Sequence, residues 1–272
     1  MIDIINVTKS FGGEDIIKNA SLRINRDERA GVVGPNGSGK TTLFSLITGE
    51  ILPDSGSALL PSNIRTGYLR QHLSDYGLES NIVDFTADAV EGLAETHNRI
   101  VELEKKLAES PGESALRELG RLQTRYEALG AYSMRNRAEA ALTGLGFKPA
   151  DLARPLGSFS GGWRMRAALA RTLIAAPDIL LLDEPSNYLD LPAVEWLKRF
   201  LSAFDGTMLL ISHDRYLLRS LTSVTVEVNA GVITRYQGNY DYYMEERARR
   251  AGIAAAAKKN QDKKKGPPAE KH

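Results

Sequence analysis

Eight consecutive residues, Gly34-Pro35-Asn36-Gly37-Ser38-Gly39-Lys40-Thr41, combine the types that hold a chain of phosphates. Glycines let backbone N–H groups turn inward around phosphate oxygens, and the start of a helix adds its partial positive charge. Lys40 would reach the β- and γ-phosphates of a nucleoside triphosphate. The Thr41 hydroxyl is placed to ligate Mg²⁺, with Thr42 beside it in the same first turn. The run fits the Walker A pattern in the context that pattern requires. It follows a strand predicted at Ala30–Val33 and precedes a short helix, Lys40–Thr48, ended by Gly49. A mere glycine-rich turn would leave the Lys-Thr pair and the flanking elements unexplained.

A second group of residues adds a metal ligand and a base. The apolar strand Ile179–Leu182 delivers Asp183 and Glu184 at its C-terminal end, where α/β sheets place their ligands. Asp183 would hold Mg²⁺ directly or through water, and Glu184 would polarise an attacking water as general base. Taken alone the pair reads equally as an acidic turn after a core strand, and the phosphate loop upstream favours the chemical reading. Ser160-Gly161-Gly162 precedes a helix predicted to start near Trp163, and two glycines at a helix N-terminus form a second anion site. His213 follows a strand predicted at Met208–Ser212, where an imidazole is able to hydrogen-bond a γ-phosphate. An isolated histidine is as a rule structural, and only the position of this one speaks for more.

These residues need a frame. Residues 1–72 read as short strands (Ile2–Val7, Ser21–Ile24, Ala30–Val33) around one loop, the first of them as an edge strand. Residues 74–157 are helical in texture: Ile100, Leu103 and Leu107 share one face, and Leu116, Leu119, Leu122, Tyr126 and Leu129 form a second apolar series. Ser110-Pro111-Gly112-Glu113 between them reads as a capping box, which predicts an antiparallel helical hairpin. Residues 158–235 alternate helix and strand again, and Val224–Val228 and Val232–Tyr236 flank a hairpin turn. Beyond residue 240 a helix start leads into an alanine- and lysine-rich tail whose end is predicted to be disordered.

The bulk composition sets outer bounds. A chain of 272 residues, 42% hydrophobic and 25% charged, suits one globular domain with an insertion. With no cysteine, disulfides and thiolate metal sites are excluded, which is compatible with the cytoplasm. No apolar run approaches the roughly 18 residues of a membrane span, so any membrane role would fall to a partner. From Arg247 to His272 nine Lys or Arg stand against two acidic residues, so the tail carries +7 and, with a net charge of +1, the body −6. A basic tail of this kind either is a solvated linker or binds a phosphate-rich surface such as RNA.

Ser160-Gly161-Gly162, shortly before the Asp-Glu pair, resembles the signature sequence of ATP-binding cassette (ABC) proteins. In that family the signature contacts the γ-phosphate of an ATP held by the opposite domain, so the resemblance implies two cassettes facing each other around two ATPs. It also implies further roles. Phe11 stands where the family places a ring that stacks on adenine, although a core phenylalanine is an equal reading. Gln71, after Tyr68-Leu69-Arg70, resembles the glutamine that senses the γ-phosphate and Mg²⁺. Asn187-Tyr188-Leu189-Asp190 resembles the loop that crosses the dimer interface, and His213 the switch histidine. The implied fold is a P-loop α/β nucleotide-binding domain over residues 1–240. It has a mostly parallel core sheet, an antiparallel β subdomain and an inserted helical subdomain at 74–157, followed by a basic linker-like tail at 241–272.

The wording of the motifs points to one branch. Ser160-Gly161-Gly162-Trp163-Arg164-Met165-Arg166 is similar to ABC-F proteins, where transporter cassettes usually carry Gln after the glycines. Asp183-Glu184-Pro185-Ser186-Asn187-Tyr188-Leu189-Asp190 departs from the ABC-F string only at Ser186 and Tyr188. Ser212-His213-Asp214-Arg215 and Gln237-Gly238-Asn239-Tyr240 also fit. This resemblance implies an ATPase without a transmembrane domain that binds the ribosome near its tRNA exit site. Its arm would be the hairpin near 96–130, and its linker, from Arg247, would reach toward tRNA and ribosomal RNA. Some such proteins protect ribosomes from antibiotics. ABC-F proteins carry two cassettes and this chain one, which implies either a missing C-terminal half or a homodimer. Two other readings stay open: the ATPase subunit of a transporter with separate membrane subunits, and a nucleotide-binding half-protein that regulates a partner.

Overall fold

The computed structural model describes residues 1–70, 78–89, 92–110 and 112–264. Strands β1 (Ile2–Phe11) and β2 (Glu14–Ile24) form a hairpin that turns at Gly12-Gly13, both with positive φ. After β3 (Arg29–Val33) the phosphate loop leads into helix α1 (Lys40–Thr48), then β4 (Ser55–Leu59) and β5 (Thr66–Leu69). β1 lies between β2 and β4 in an antiparallel sheet, which corrects the edge-strand expectation. Ile2, Ile4 and Val7 announce one buried face, but that pattern is blind to how many neighbours pair with the backbone.

The helical segment follows: α2 (Ile82–Ala87), α3 (Leu93–Glu109), α4 (Glu113–Ala128) and α5 (Ala131–Gly144). α3 and α4 form the expected hairpin, tied by Arg99 to Glu118 at 3.1 Å. Ile100 and Leu103 are buried, whereas α4 buries none of its residues and Leu116 is exposed. The capping box at the tip does not form. Ser110 is the extended C-cap of α3, its N–H bonded to Lys106 O, and Gly112 caps α4 without a side chain. α4 starts at Glu113, so this glutamate is its first residue rather than its third, and Ser110 stands two residues before the cap.

The chain then alternates: α6 (Gly161–Ile174), β6 (Ile179–Asp183), α7 (Leu191–Ser202), β7 (Thr207–Ile211), α8 (Arg215–Leu221), β8 (Val224–Asn229), β9 (Val232–Tyr236) and α9 (Tyr240–Lys264). The second sheet runs β5-β6-β7-β3-β8-β9, parallel except for β9. β8 and β9 join through Ala230-Gly231, both at positive φ, the geometry of a tight hairpin turn.

Alternation along the central strands divides the interior into two cores. Leu180, Leu182, Met208, Leu210 and Val33 face the helical side. Ile179, Leu181, Leu209, Ile211 and Val32 face α1 and the antiparallel sheet. α1 adds Leu43, Phe44, Leu46 and Ile47 to the second core, each contributing about 1.5–3 kcal/mol if fully buried. Anchored this way, α1 cannot shift without repacking the sheet beneath the phosphate loop. Among the described residues no helix is long and apolar enough to cross a membrane.

Candidate functional site

β6, β7 and β3 are neighbours, and each releases its functional residues at the same carboxyl edge. β3 feeds the phosphate loop directly. A Cβ on Gly34 would lie 2.1 Å from Val228 O of the adjoining strand, so only glycine lets the loop leave the sheet here. Gly39 caps α1 at φ 100, and its Cβ would lie 2.8 Å from Ile16. The first turn of α1 carries no acidic residue and no side-chain cap, which leaves its N–H groups for an anion. Ser38 Oγ is buried in the loop without a hydrogen-bond partner. A cradle of this kind, with an orphaned polar atom inside it, fits a polyphosphate.

Lys40 Nζ folds over the loop and donates to the carbonyls of Gly34 and Pro35, at 3.0 and 2.9 Å. Burial pulls its pKa below the usual lysine value, opposed by the charges of Glu184 and Asp183. Thr41 Oγ1 donates to Asp183 Oδ2 at 2.7 Å. Two of the three residues expected to hold Mg²⁺, Thr41 and Asp183, therefore meet, although they come from α1 and β6.

Glu184 is 7% exposed and sits at φ 52, a left-handed conformation that costs a non-glycine residue about 1–3 kcal/mol. Its N–H donates to Ile211 O at 2.9 Å, which holds the strained turn against β7. Its Oε2 accepts from the His213 N–H at 3.2 Å, and its Oε1 is buried without a hydrogen-bond partner. The His213 ring stands between two groups: Nε2 is 3.1 Å from Asn36 Oδ1 and 3.6 Å from Glu184 Oε1. The loop, the acid pair and the imidazole thus form one site, with Asn36 as the bridge to His213.

Other expected residues lie apart. Phe11 is 50% exposed at the end of β1, beside Lys9, so the core reading of this ring falls. Gln71 lies outside the described residues, as does the end of the tail from 265 on. Thr42 follows Thr41 in α1, half-buried. Ser160 caps α6 in extended conformation without a side-chain bond, and Gly161 and Gly162 open the helix. Among the described residues no hydrogen bond or ion pair joins these three to the phosphate loop.

One part of the site was invisible in the sequence. The Tyr188 ring packs over Gly162, and Arg166 binds this loop to the signature helix. Its Nε donates to Tyr188 O at 2.7 Å and its Nη1 to Leu145 O at 2.9 Å, with Asp190 3.7 Å away. Trp163 lies under the guanidinium at 4.4 Å and meets Phe147 edge-on at 4.8 Å. The Trp and Arg that set the signature wording apart are what fix the signature relative to Asn187–Asp190.

A mostly parallel sheet whose central strands deliver a phosphate cradle and two carboxylates to one edge is a nucleoside-triphosphate-binding cassette. A family model described as ABC transporter matches residues 17–187, and a second of the same description matches 226–266. The chain belongs to the ABC transporter family of ATP-binding cassettes, in its F branch. It is 36% identical to the ATP-binding protein Uup of Escherichia coli, over 88% of this chain and 37% of that protein. It is 34% identical to ABC transporter F family member 5 of Arabidopsis thaliana, over 96% of this chain and 39% of that protein. The chain thus spans about two fifths of the length of these relatives. A dimeric bacterial ABC transporter cassette has the same fold, with a TM-score of 0.61 and 21% identity over 87% of this chain and 98% of that one.

Proposed function

We propose that the chain binds and hydrolyses MgATP in a site completed by the signature of a second cassette, and that ATP gates its attachment to ribosomes in the cytoplasm. The observation that carries the catalytic part is Glu184. It is buried, it sits one residue from the Thr41–Asp183 pair, and one of its oxygens is free of hydrogen bonds. A water between this oxygen and a γ-phosphate would attack phosphorus and pass its proton to Glu184. The bond from Pγ to the bridging oxygen breaks, and its electron pair leaves on ADP. Lys40, the N–H groups of α1 and His213 offset the charge on the phosphate oxygens. The Thr41 hydroxyl and the Asp183 carboxylate form an oxygen donor set that suits Mg²⁺, which when bound neutralises β- and γ-phosphate charge.

The need for a second cassette is supported by the lack, among the described residues, of any hydrogen bond or ion pair from Ser160–Gly162 to the loop of their own chain, and by the dimer in which the related cassette was solved. The ribosomal part is supported by the relationship to the F branch and by α9, whose exposed Arg249 and Arg250 suit a phosphate backbone. Ribosome co-sedimentation of Glu184→Gln tests it. Removing the base traps the ATP state, and the protein pellets with ribosomes in ATP but not in ADP. If it pellets in neither while still binding ATP, the ribosomal reading fails.

A further inference from the structure

A cavity of about 310 Å³ opens beside the phosphate loop, on the side away from the antiparallel sheet. Lys40 and His213 line it, together with the Gly34 and Pro35 loop that Lys40 binds. Arg215, the first residue of α8, and Arg247, two turns into α9, line it as well. We propose that this cavity takes inorganic phosphate, receiving the ion that hydrolysis leaves at the loop. The inference rests on the reading of the site as an ATPase and adds the path by which its product departs.

Continuity supports it first. The two side chains expected to face a γ-phosphate, Lys40 and His213, are also walls of the cavity, so it adjoins the place where hydrolysis leaves phosphate. Charge supports it next. Arg215 makes no hydrogen bond or ion pair with any described residue, so its guanidinium is available to an oxyanion. The acidic lining residue, Glu227, is already occupied. It accepts from the hydroxyls of Tyr236 and Tyr243 at 3.0 and 2.9 Å, and Arg247 stands 4.0 Å from it. Burial, then the bond to Glu227, pushes the Tyr243 hydroxyl up to about 12, which keeps it a donor at neutral pH. Arg247 is 58% exposed and contacts Tyr243 Oη at 3.3 Å, so it is able to turn from Glu227 toward an arriving dianion.

The test uses the full chain and two measurements. In the first, inorganic phosphate is titrated into the ADP-loaded protein by calorimetry. Arg215→Ala/Arg247→Ala should weaken phosphate binding by about tenfold or more while ADP affinity stays unchanged, and Arg215→Lys/Arg247→Lys should retain part of it. Unchanged phosphate affinity in the alanine pair, or no phosphate binding by the parent chain, overturns the proposal. In the second, single-turnover cleavage followed by acid quench is compared with phosphate release followed by a fluorescent phosphate sensor. Cleavage should proceed at the parent rate in the alanine pair while release changes several-fold. Equal release in both would restrict the cavity to free phosphate and overturn its role in product departure. Absence of cleavage in every protein, at concentrations where the chain is shown to pair, would refute the ATPase reading, and the titration would still decide whether the cavity holds phosphate.

Discussion

Thr41 Oγ1 donates a 2.7 Å hydrogen bond to Asp183 Oδ2, joining the first turn of α1 to the last residue of β6. The bond holds a hydroxyl and a carboxylate where one hard cation is able to meet both. Thr41→Val should therefore lower affinity for MgATP about tenfold. Affinity for ATP in excess EDTA should hardly change. Calorimetry with and without Mg²⁺ reads the difference, and equal losses in both conditions would remove the cation from the account.

The two glycines that bound α1 differ in what surrounds them. Both have positive φ, but a Cβ on Gly49 meets nothing within 4 Å, whereas on Gly39 it presses on Ile16. Gly49→Ala should cost about 1 kcal/mol. Gly39→Ala should cost more, about 1–3 kcal/mol beyond that. In a domain of this size each kcal/mol lowers the melting temperature by about 2–4 °C. Thermal unfolding of both variants tests the ranking, which equal shifts would overturn.

Arg166 reaches two carbonyls at once, Tyr188 O and Leu145 O, as a fork. Lysine is a point donor and cannot bridge them. Arg166→Lys should destabilise the protein by roughly 1–3 kcal/mol. It should leave ATP affinity nearly intact, because the phosphate loop is not touched, and should slow hydrolysis. A variant that melts lower yet turns over at the parent rate would show that the fork supports the fold alone.

Alkaline stability should depend on Tyr243. Its hydroxyl ionises at about 12 in the folded protein, chiefly through burial and next through Glu227, against 10.0 for the free side chain. The folded state therefore keeps this proton where the unfolded chain has lost it. The stabilisation is complete below pH 10 and is lost as pH rises through about 12. Tyr243→Phe should melt lower than the parent at pH 8, and its melting temperature should fall less steeply from pH 10 to 12. Tyr68, pushed to about 12 mainly by burial, keeps its own contribution in both proteins. Parallel curves would assign the alkaline loss elsewhere.

Sequence carried the local features well. α1 runs from Lys40 to Thr48 as its glycine boundaries imply, and the acid pair ends its apolar strand where expected. These are short-range patterns, with cause and effect a few residues apart. What it did not carry depends on distant partners. The Arg166 fork joins carbonyls on two separate loops, neither of which has a side-chain signal. The central place of β1 depends on β4, more than forty residues on. Ser110 satisfied a capping pattern on paper, but α4 starts at Glu113 with Gly112 as its cap, out of register with that pattern. The exposure of Phe11 likewise follows from a hairpin that extends to Phe11 rather than stopping at Val7.

α9 runs without a break for 25 residues, a rod about 37 Å long. Its base is clamped by Tyr243 to Glu227, and Glu227 pairs across the sheet with Val33, the residue before the phosphate loop. That arrangement makes the helix a lever whose fulcrum sits against the nucleotide strand. A tilt of only 5° at the clamp would sweep the far, lysine-bearing end through about 3 Å. A displacement too small to register beside Gly34 would thus become, at the tip, comparable to the length of a hydrogen bond.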